Sequence, residues 1–322
     1  MIITRTPFRI TLGGGGTDIP SYYERNGGLV ISMAIDKYVY ITLKPDLFEK
    51  LCKLRYSEIE IVNNPNKLKN ARAREALILN GLSEIEINTC ADLSHKSGMG
   101  SSGSFLVGLL KAIKEYKRLD NSPRTIAEEA CHIEIDILGE PVGKQDQYIA
   151  AFGGIKILKI NETGTVDVQD FDIDYQALIQ NMHVYSLNIQ RDASDVLSEQ
   201  QKLGGHTREV LDRIKQFGYK TIELLAASEF DEYGLLLDAY WAEKKKLSSK
   251  VSIGFVDHIY DTVKAEYGVL GGKIIGAGGG GFILLYTNQK RHELEGFMSN
   301  AGLRRLKYTV DNTGSRTLGN FL

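Results

Sequence analysis

The chain has few cysteines and no long hydrophobic run. Among its 322 residues the three cysteines, Cys52, Cys90 and Cys131, form no C-x-x-C pair, so we expect neither a zinc site nor a disulfide framework. No stretch of about 18 uninterrupted apolar residues could span a membrane, and residues 1–5 lack the apolar core of a signal peptide. These absences predict a cytoplasmic protein with reduced thiols and no membrane partner.

The chain also lacks an excess of charge of either sign. The 39 Lys and Arg nearly balance the 41 Asp and Glu, for a net charge of −2, and no basic arm or face suggests a nucleic-acid partner. The length fits one large domain or two fused halves. We therefore expect small-molecule ligands, and a homodimer is left open.

Glycine, in contrast, is abundant. The 33 glycines include three clusters, at 13–16, 98–103 and 276–281. Glycine reaches positive φ and lets a ligand come close to the backbone. Three clusters in a chain without repeats indicate backbone loops around a ligand.

The second cluster has the chemistry of a phosphate loop. Residues 97–104, S-G-M-G-S-S-G-S, lie between a predicted strand at 85–90 and a predicted helix at about 103–118. Free N–H groups and the positive end of the helix dipole would attract a phosphate there. The Walker pattern is absent because no lysine follows the glycines. A plain Gly/Ser turn with a helix cap explains the same residues about equally well.

The other two clusters lead to different expectations. Arg9 and Asp18 flank the first cluster, where the arginine could neutralise phosphate and the aspartate could accept sugar hydroxyls or simply cap a helix. Gly276, Gly278 and Gly281 match G-x-G-x-x-G, but a strand-like segment, 282–286, follows them. The dinucleotide fingerprint needs a helix there, so it is rejected.

Two carboxylates are candidates for phosphoryl-transfer chemistry. Glu134 lies on a predicted helix at 123–138, and Asp146 lies in a loop rich in proline and glycine. One could hold magnesium and the other could accept the proton of a hydroxyl. From residue type alone, surface exposure is the expectation for both.

The order of predicted elements favours an α+β fold over a doubly wound sheet, because strands and helices do not alternate regularly. The boundary between two halves is placed near residue 175. The remaining predicted elements are strand pairs within 29–43, a hairpin of 155–160 with 166–171, strands at 183–189, 273–275, 282–286 and 303–310, and helices at 67–80, 192–203, 206–227, 230–246, 253–267 and 289–301.

Together the motifs resemble those of the GHMP kinases, the superfamily of galactokinase, homoserine kinase and mevalonate kinase, over nearly the whole chain. Residues 7–18 look like P-x-R-x-x-L-x-G-G-G-T-D, residues 98–104 look like G-L-G-S-S-[AG]-[AS] with Met99 for leucine, and 276–281 is the third motif. The resemblance implies an N-terminal half like ribosomal protein S5, residues 1–175, carrying the ATP and substrate sites. It also implies a ferredoxin-like C-terminal half, residues 176–322, the GHMP kinase C-terminal domain.

The resemblance also implies roles for individual residues. Asp146 and Arg9 would be catalytic, and Ser102 and Glu134 would bind Mg²⁺. The predicted ATP-binding residues are Ser97, Gly98, Met99, Gly100, Ser101, Ser102, Gly103 and Ser104. The predicted substrate-binding residues are Gly15, Thr17, Asp18, Arg191, Gly278 and Gly279.

Within the superfamily, the stretches 14–23, 190–197 and 240–248 look like those of kinases acting on D-glycero-D-manno-heptose 7-phosphate. This implies phosphorylation of the anomeric C1 hydroxyl to the 1,7-bisphosphate, for nucleotide-activated heptose and surface polysaccharide. A kinase for another sugar, of the fucose or galactose type, and an inactive ligand-binding regulator are the alternatives. Candidates for binding the 7-phosphate, each of which could instead be a solvated surface charge, are Arg72, Arg74, Arg191, Lys244 and Lys245.

Overall fold

The computed structural model describes residues 1–94, 97–189 and 204–321. Its first sheet is built on two long antiparallel strands, β1 (Ile2–Gly13) and β2 (Gly28–Pro45). The register between them shifts next to Pro7, where proline offers no N–H to the ladder. The segment predicted as strand pairs is therefore one continuous strand, long enough to pair with different neighbours at its two ends.

The other strands of this sheet are β3 (Cys52–Arg55), β4 (Ile59–Val62), β5 (Ile85–Ala91), β6 (Ile155–Ile160), β7 (Val166–Asp170) and β12 (Arg316–Asn320). The first half of β2 pairs with β6 and the second half pairs with β5, so the eight-stranded sheet branches along this strand. The main order is β12-β1-β2-β5-β3-β4, and the predicted hairpin of β6 and β7 is confirmed.

The described residues of the first half contain five α-helices. They are α1 (Pro20–Asn26), α2 (Ala71–Leu79), α3 (Ser101–Lys117), α4 (Pro123–Cys131) and α5 (Gln145–Phe152). The helix predicted over 123–138 changes type, because a π-helical turn, His132–Ile137, continues α4. Such turns often mark functional sites, and this one carries Glu134.

The second half has a four-stranded antiparallel sheet in the order β11-β8-β10-β9. Its strands are β8 (Met182–Ser186), β9 (Gly271–Ile274), β10 (Phe282–Tyr286) and β11 (Arg305–Leu306). Its helices are α6 (Tyr175–Asn181), α7 (Gly204–Ala226), α8 (Phe230–Lys244), α9 (Gly254–Tyr267) and α10 (Arg291–Asn300). The strand predicted at 303–310 is only two residues long, and the helix predicted at 192–203 lies outside the described residues.

The two halves share contacts across the predicted boundary. The Tyr233 hydroxyl on α8 donates to the Leu12 carbonyl of β1 at 3.0 Å, and β12, near the end of the chain, pairs with β1. The division near residue 175 stays a prediction, whereas the α+β class is confirmed. In the described part of the chain, no helix is long and apolar enough to cross a membrane.

Candidate active site

One cavity of about 880 Å³ brings the three glycine clusters together. Gly15 and Gly16 come from the first cluster, Gly98 and Gly100 from the second, and the third contributes to the same wall. The clusters are far apart in sequence: folding of the first half brings the first two together, and packing of the second half adds the third. The wall residues from the third cluster are Gly276, Gly278 and Gly280. The convergence agrees with the expectation that the loops surround a ligand.

The second cluster turns directly into α3 beside Asp146. Gly100, at the helix N-cap, has φ 80°, and a Cβ there would lie 3.1 Å from the Asp146 Cγ. A Cβ at Gly103 would lie 2.8 Å from the Asp146 Cβ. Glycine is therefore required for the loop to lie against this carboxylate, and the first-turn N–H groups of α3, which lack acceptors within the helix, are placed next to it.

Some of the predicted ATP-binding residues line the cavity, whereas others are buried behind its wall. Ser101 and Ser102 line the cavity together with Gly98 and Gly100. Ser104 does not line it, because its hydroxyl donates to the Pro7 carbonyl at 2.8 Å and its side chain is buried. Met99 is wholly buried in the core. The predicted ATP-binding residues outside the cavity wall are Ser97, Met99, Gly103 and Ser104.

Arg9 connects the loop to the candidate base. Its Nε donates to Asp146 Oδ1 at 2.7 Å and its Nη1 donates to the Gly98 carbonyl at 2.6 Å. The arginine side chain is 5% exposed, whereas that of Asp146 is 25% exposed. Asp146, expected at the surface, is thus only partly exposed, held at one oxygen by a buried cation and open towards the cavity.

Asp18 is a buried cavity residue and not a helix cap. The helix it precedes has Ile19 at its N-cap. Its Oδ2 accepts from the Gln145 N–H at 3.0 Å and its Oδ1 accepts from the Gly16 N–H at 3.2 Å. Burial raises the pKa of Asp18 above its ordinary value, and the nearby Asp146 adds to this increase. The carboxylate joins the first cluster to the start of α5.

Thr17, predicted to bind substrate, lies outside the cavity wall. It is fully buried, and its hydroxyl donates to the carbonyl oxygens of Gly14 and Leu29. Its role is to hold the glycine turn against β2. Gly279 also does not line the cavity, whereas Gly278 does, and Arg191 lies outside the described residues.

The expectation that Glu134 is exposed was wrong. Its carboxylate is wholly buried, accepting from Arg72 Nε at 2.6 Å on one oxygen and from Gln147 Nε2 at 2.5 Å on the other. Arg72 also pairs with Glu140. Two partners from different elements, one of them a guanidinium, make this burial tolerable, and no sequence pattern indicated them.

The predicted Mg²⁺ ligand set does not fit this arrangement. Both oxygens of Glu134 are occupied, one by a guanidinium, and Glu134 does not line the cavity. Ser102 does line it. The part of the chain that the structure describes contains no group of three or more His, Cys, Asp or Glu side chains able to hold a metal ion.

Two buried lysines form the cationic side of the cavity. Lys244 is 6% exposed, and its Nζ donates to the carbonyl oxygens of Gly276 and, at 3.4 Å, Ile274. Lys273 is 2% exposed; its Nζ donates to the Leu12 carbonyl at 3.3 Å. Burial, with Arg9 adding repulsion, lowers the pKa of Lys244 to about 7. Burial, with repulsion from the other two cations, lowers the pKa of Lys273 well below its ordinary value.

Sequence reasoning missed Lys273. It sits in a strand between glycines and isoleucines, where no motif draws attention to it. Of the other cations named from the sequence, Arg72 lines the cavity but is paired with Glu134 and Glu140. Lys245 and Arg74 do not line it: Lys245 is exposed and pairs with Asp257 at 3.3 Å, and Arg74 pairs with its neighbour Glu75. Burial, with hydrogen bonds to the carbonyl oxygens of Ile274 and Gly276, distinguishes Lys244 from the lysine that follows it.

The first half supplies the apolar side of the cavity. Phe105 lies in the second turn of α3, and Thr89 lies on β5 with its hydroxyl buried and without a hydrogen-bond partner in the described structure. The surrounding apolar and aromatic lining residues are Val39, Tyr56, Ala91, Leu93 and Phe105. A flat apolar group with polar edges, such as a nucleobase, would satisfy both features.

Comparison with known proteins identifies relatives of this arrangement. Residues 50–154 match the family profile described as the GHMP kinases N terminal domain. The chain is 31% identical over 307 residues to the D-glycero-alpha-D-manno-heptose 7-phosphate kinase of Campylobacter jejuni, covering 89% of each sequence.

Solved structures share the fold. A D-glycero-D-manno-heptose 1-phosphate kinase from Bacteroides thetaiotaomicron superimposes with a TM-score of 0.81 at 23% identity, covering 100% of both chains. Lactococcus lactis galactokinase complexed with galactose superimposes with a TM-score of 0.74 at 17% identity, covering 98% of this chain and 94% of that one.

Proposed function

The chain belongs to the GHMP kinases, and from that premise we propose that it transfers the γ-phosphoryl group of ATP to the anomeric C1 hydroxyl of D-glycero-D-manno-heptose 7-phosphate, giving the 1,7-bisphosphate. The observation that carries the proposal is the contact between the glycine loop at the start of α3 and the Asp146–Arg9 pair. A candidate phosphate-binding loop and a candidate proton acceptor are adjacent in one cavity. The heptose assignment is supported by the Campylobacter relative, which has that name.

The nucleotide side of the cavity suits ATP. The free N–H groups at the first turn of α3 and the hydroxyls of Ser101 and Ser102 face the position proposed for the phosphates. The apolar wall with the unpartnered Thr89 hydroxyl would take the base. The same loop therefore positions the donor and stabilises negative charge as the phosphoryl group moves.

On the acceptor side, Asp146 would accept or orient the proton of the sugar hydroxyl. Arg9 holds one carboxylate oxygen, which fixes the direction of the other, and its charge stabilises the transferring group. The buried Asp18 is available to bind hydroxyls of the sugar. Mg²⁺ stays a prediction from the resemblance, and of its two predicted ligands only Ser102 lines the cavity.

The biological setting remains part of the proposal. A 1-phosphorylated sugar is the chemical form from which a nucleotidyl group can be attached, so we propose a role ahead of nucleotide-activated heptose and surface polysaccharide. Cytoplasmic location and a homodimer stay predictions.

An ADP-release assay over a panel of acceptors tests the function. We expect turnover with D-glycero-D-manno-heptose 7-phosphate to exceed that with free heptose, fucose, galactose or mevalonate. Preference for fucose or galactose would contradict the heptose assignment and favour the other sugar kinases. Absence of ADP release with every acceptor, from protein that still binds an ATP analogue, would support the inactive regulator.

A further inference from the structure

Lys244 and Lys273 are ionisable amino groups buried without a counter-ion. Lys244 comes from the end of α8 and Lys273 from β9, and both line the cavity. Carbonyl oxygens, and for Lys273 the ring of Tyr240 at 4.5 Å, are their only partners in the described part of the chain. Burying an ammonium group without an anion is costly, so the site is built for a negative charge that the protein itself does not provide.

The two lysines lie close to the reacting groups. Lys244 binds the carbonyl of Gly276, and Gly276 packs on Gly98, whose carbonyl accepts from Arg9. Arg9 repels both lysines and Lys244 repels Lys273, which contributes to the lowered pKa values of the lysines and agrees with this proximity. An anion bound to the lysines would therefore lie on the second-half side of Arg9.

Phosphate of the acceptor fits this position better than phosphate of the donor. The ATP phosphates already have the helix N-terminus and the loop hydroxyls, whereas the lysines come from the opposite half of the cavity. A phosphate monoester carries close to two negative charges at neutral pH, matching two ammonium groups.

We propose that Lys244 and Lys273 form the subsite that binds the phosphate of a sugar-phosphate acceptor and make the enzyme select phosphorylated over unphosphorylated sugars. The proposal rests on the proposed function in one respect, that the acceptor and ATP share this cavity. It assigns the 7-phosphate to this pair and not to Arg72, which is engaged by Glu134 and Glu140.

The test compares Lys244→Met and Lys273→Met with Lys245→Met, a matched control at the next position whose lysine is exposed and pairs with Asp257. Each buried variant should raise the KM for heptose 7-phosphate about 10- to 100-fold, as expected for loss of a charge-assisted hydrogen bond. The KM for ATP should rise much less than the KM for heptose 7-phosphate, and activity with free heptose should fall by a smaller factor than activity with heptose 7-phosphate. Lys245→Met should behave as wild type.

Two outcomes overturn the subsite. A rise in the KM for ATP with no change for the acceptor would assign the lysines to the nucleotide. Equal rises for phosphorylated and free heptose would show that the lysines only support the fold. If heptose 7-phosphate is not phosphorylated but another sugar phosphate is, with a KM that depends on both lysines, the heptose assignment is wrong and the subsite is supported.

If the lysine variants do not fold, a measurement on the wild type still tests the proposal. Inorganic phosphate should inhibit competitively against the sugar phosphate and not against ATP. Calorimetry with inorganic phosphate gives a readout that needs no turnover. Competition against ATP alone, or no phosphate binding by the wild type, contradicts the proposal.

Discussion

The replacement Asp146→Asn tests the centre of the proposed chemistry. The amide has nearly the same shape as the carboxylate, and its carbonyl can still accept from Arg9 Nε, which lies 2.7 Å from Oδ1 in the wild type. The amide cannot accept the proton of an acceptor hydroxyl. The change therefore separates the chemical role of the carboxylate from its structural role.

The two effects should differ in size. Loss of a general base typically costs about 10²–10⁴-fold in rate, which corresponds to roughly 3–5 kcal/mol in activation free energy. Arg9 is buried, but it keeps its bond to the Gly98 carbonyl and a neutral partner at position 146. The free energy of unfolding should therefore fall by only about 1–2 kcal/mol, less than the about 3–5 kcal/mol for a buried pair broken outright.

Turnover would be measured by ADP release, nucleotide affinity by titration with a nonhydrolysable ATP analogue, and stability by urea unfolding. We expect unchanged nucleotide binding, a large loss of kcat and a small loss of stability. Asp136→Asn is the control, because this exposed aspartate bonds His132 on the protein surface. A kcat for Asp146→Asn within roughly tenfold of wild type would refute its role as the proton acceptor.

Further predictions concern the glycine loop, the buried carboxylate and the buried lysine. Gly100→Ala and Gly81→Ala both place a side chain at positive φ, which costs about 1 kcal/mol in each case. Only at position 100 would the new Cβ meet other residues. ADP release should therefore fall only for Gly100→Ala, and equal losses in the two variants would contradict this. Arg72→Met should lower the unfolding free energy in urea by about 2–3 kcal/mol, less than for a fully buried pair because the arginine is 25% exposed; unchanged stability would show that Glu134 does not depend on it. The pKa of Lys244 is lowered to about 7 from 10.5, so between these pH values the unfolded chain binds more protons than the folded one. The destabilisation caused by burying Lys244 is therefore full below about pH 7 and diminishes as pH rises. The stability difference between Lys244→Met and wild type should shrink from pH 7 to pH 9, and a pH-independent difference would contradict the lowered pKa.

Much of the local structure could be predicted from residue type and spacing. Ser122 caps α4, with its side chain accepting from the Thr125 N–H, as the Ser-Pro pair predicts. Gly100 occupies a left-handed position at the start of α3, as a glycine loop entering a helix suggests. These features depend on backbone preferences of a few adjacent residues.

Burial and pairing could not be predicted in the same way. Glu134 is buried because Arg72, 62 positions away, and Gln147 meet it there. A carboxylate on a helix is ordinarily exposed, and no pattern within its own helix distinguishes this case. The error at Glu134 reflects a contact between distant segments.

The sequence by itself determined where the glycine loops, the caps and most strands and helices lie, because backbone propensity is a property of neighbouring residues. Only the tertiary structure decided which of those loops share a cavity and which charged side chains face it. Lys244 and Lys245 are identical in type and adjacent in sequence, yet one is buried in the cavity and the other is exposed. The electrostatic environment of a side chain depends on what packs against it from elsewhere in the chain.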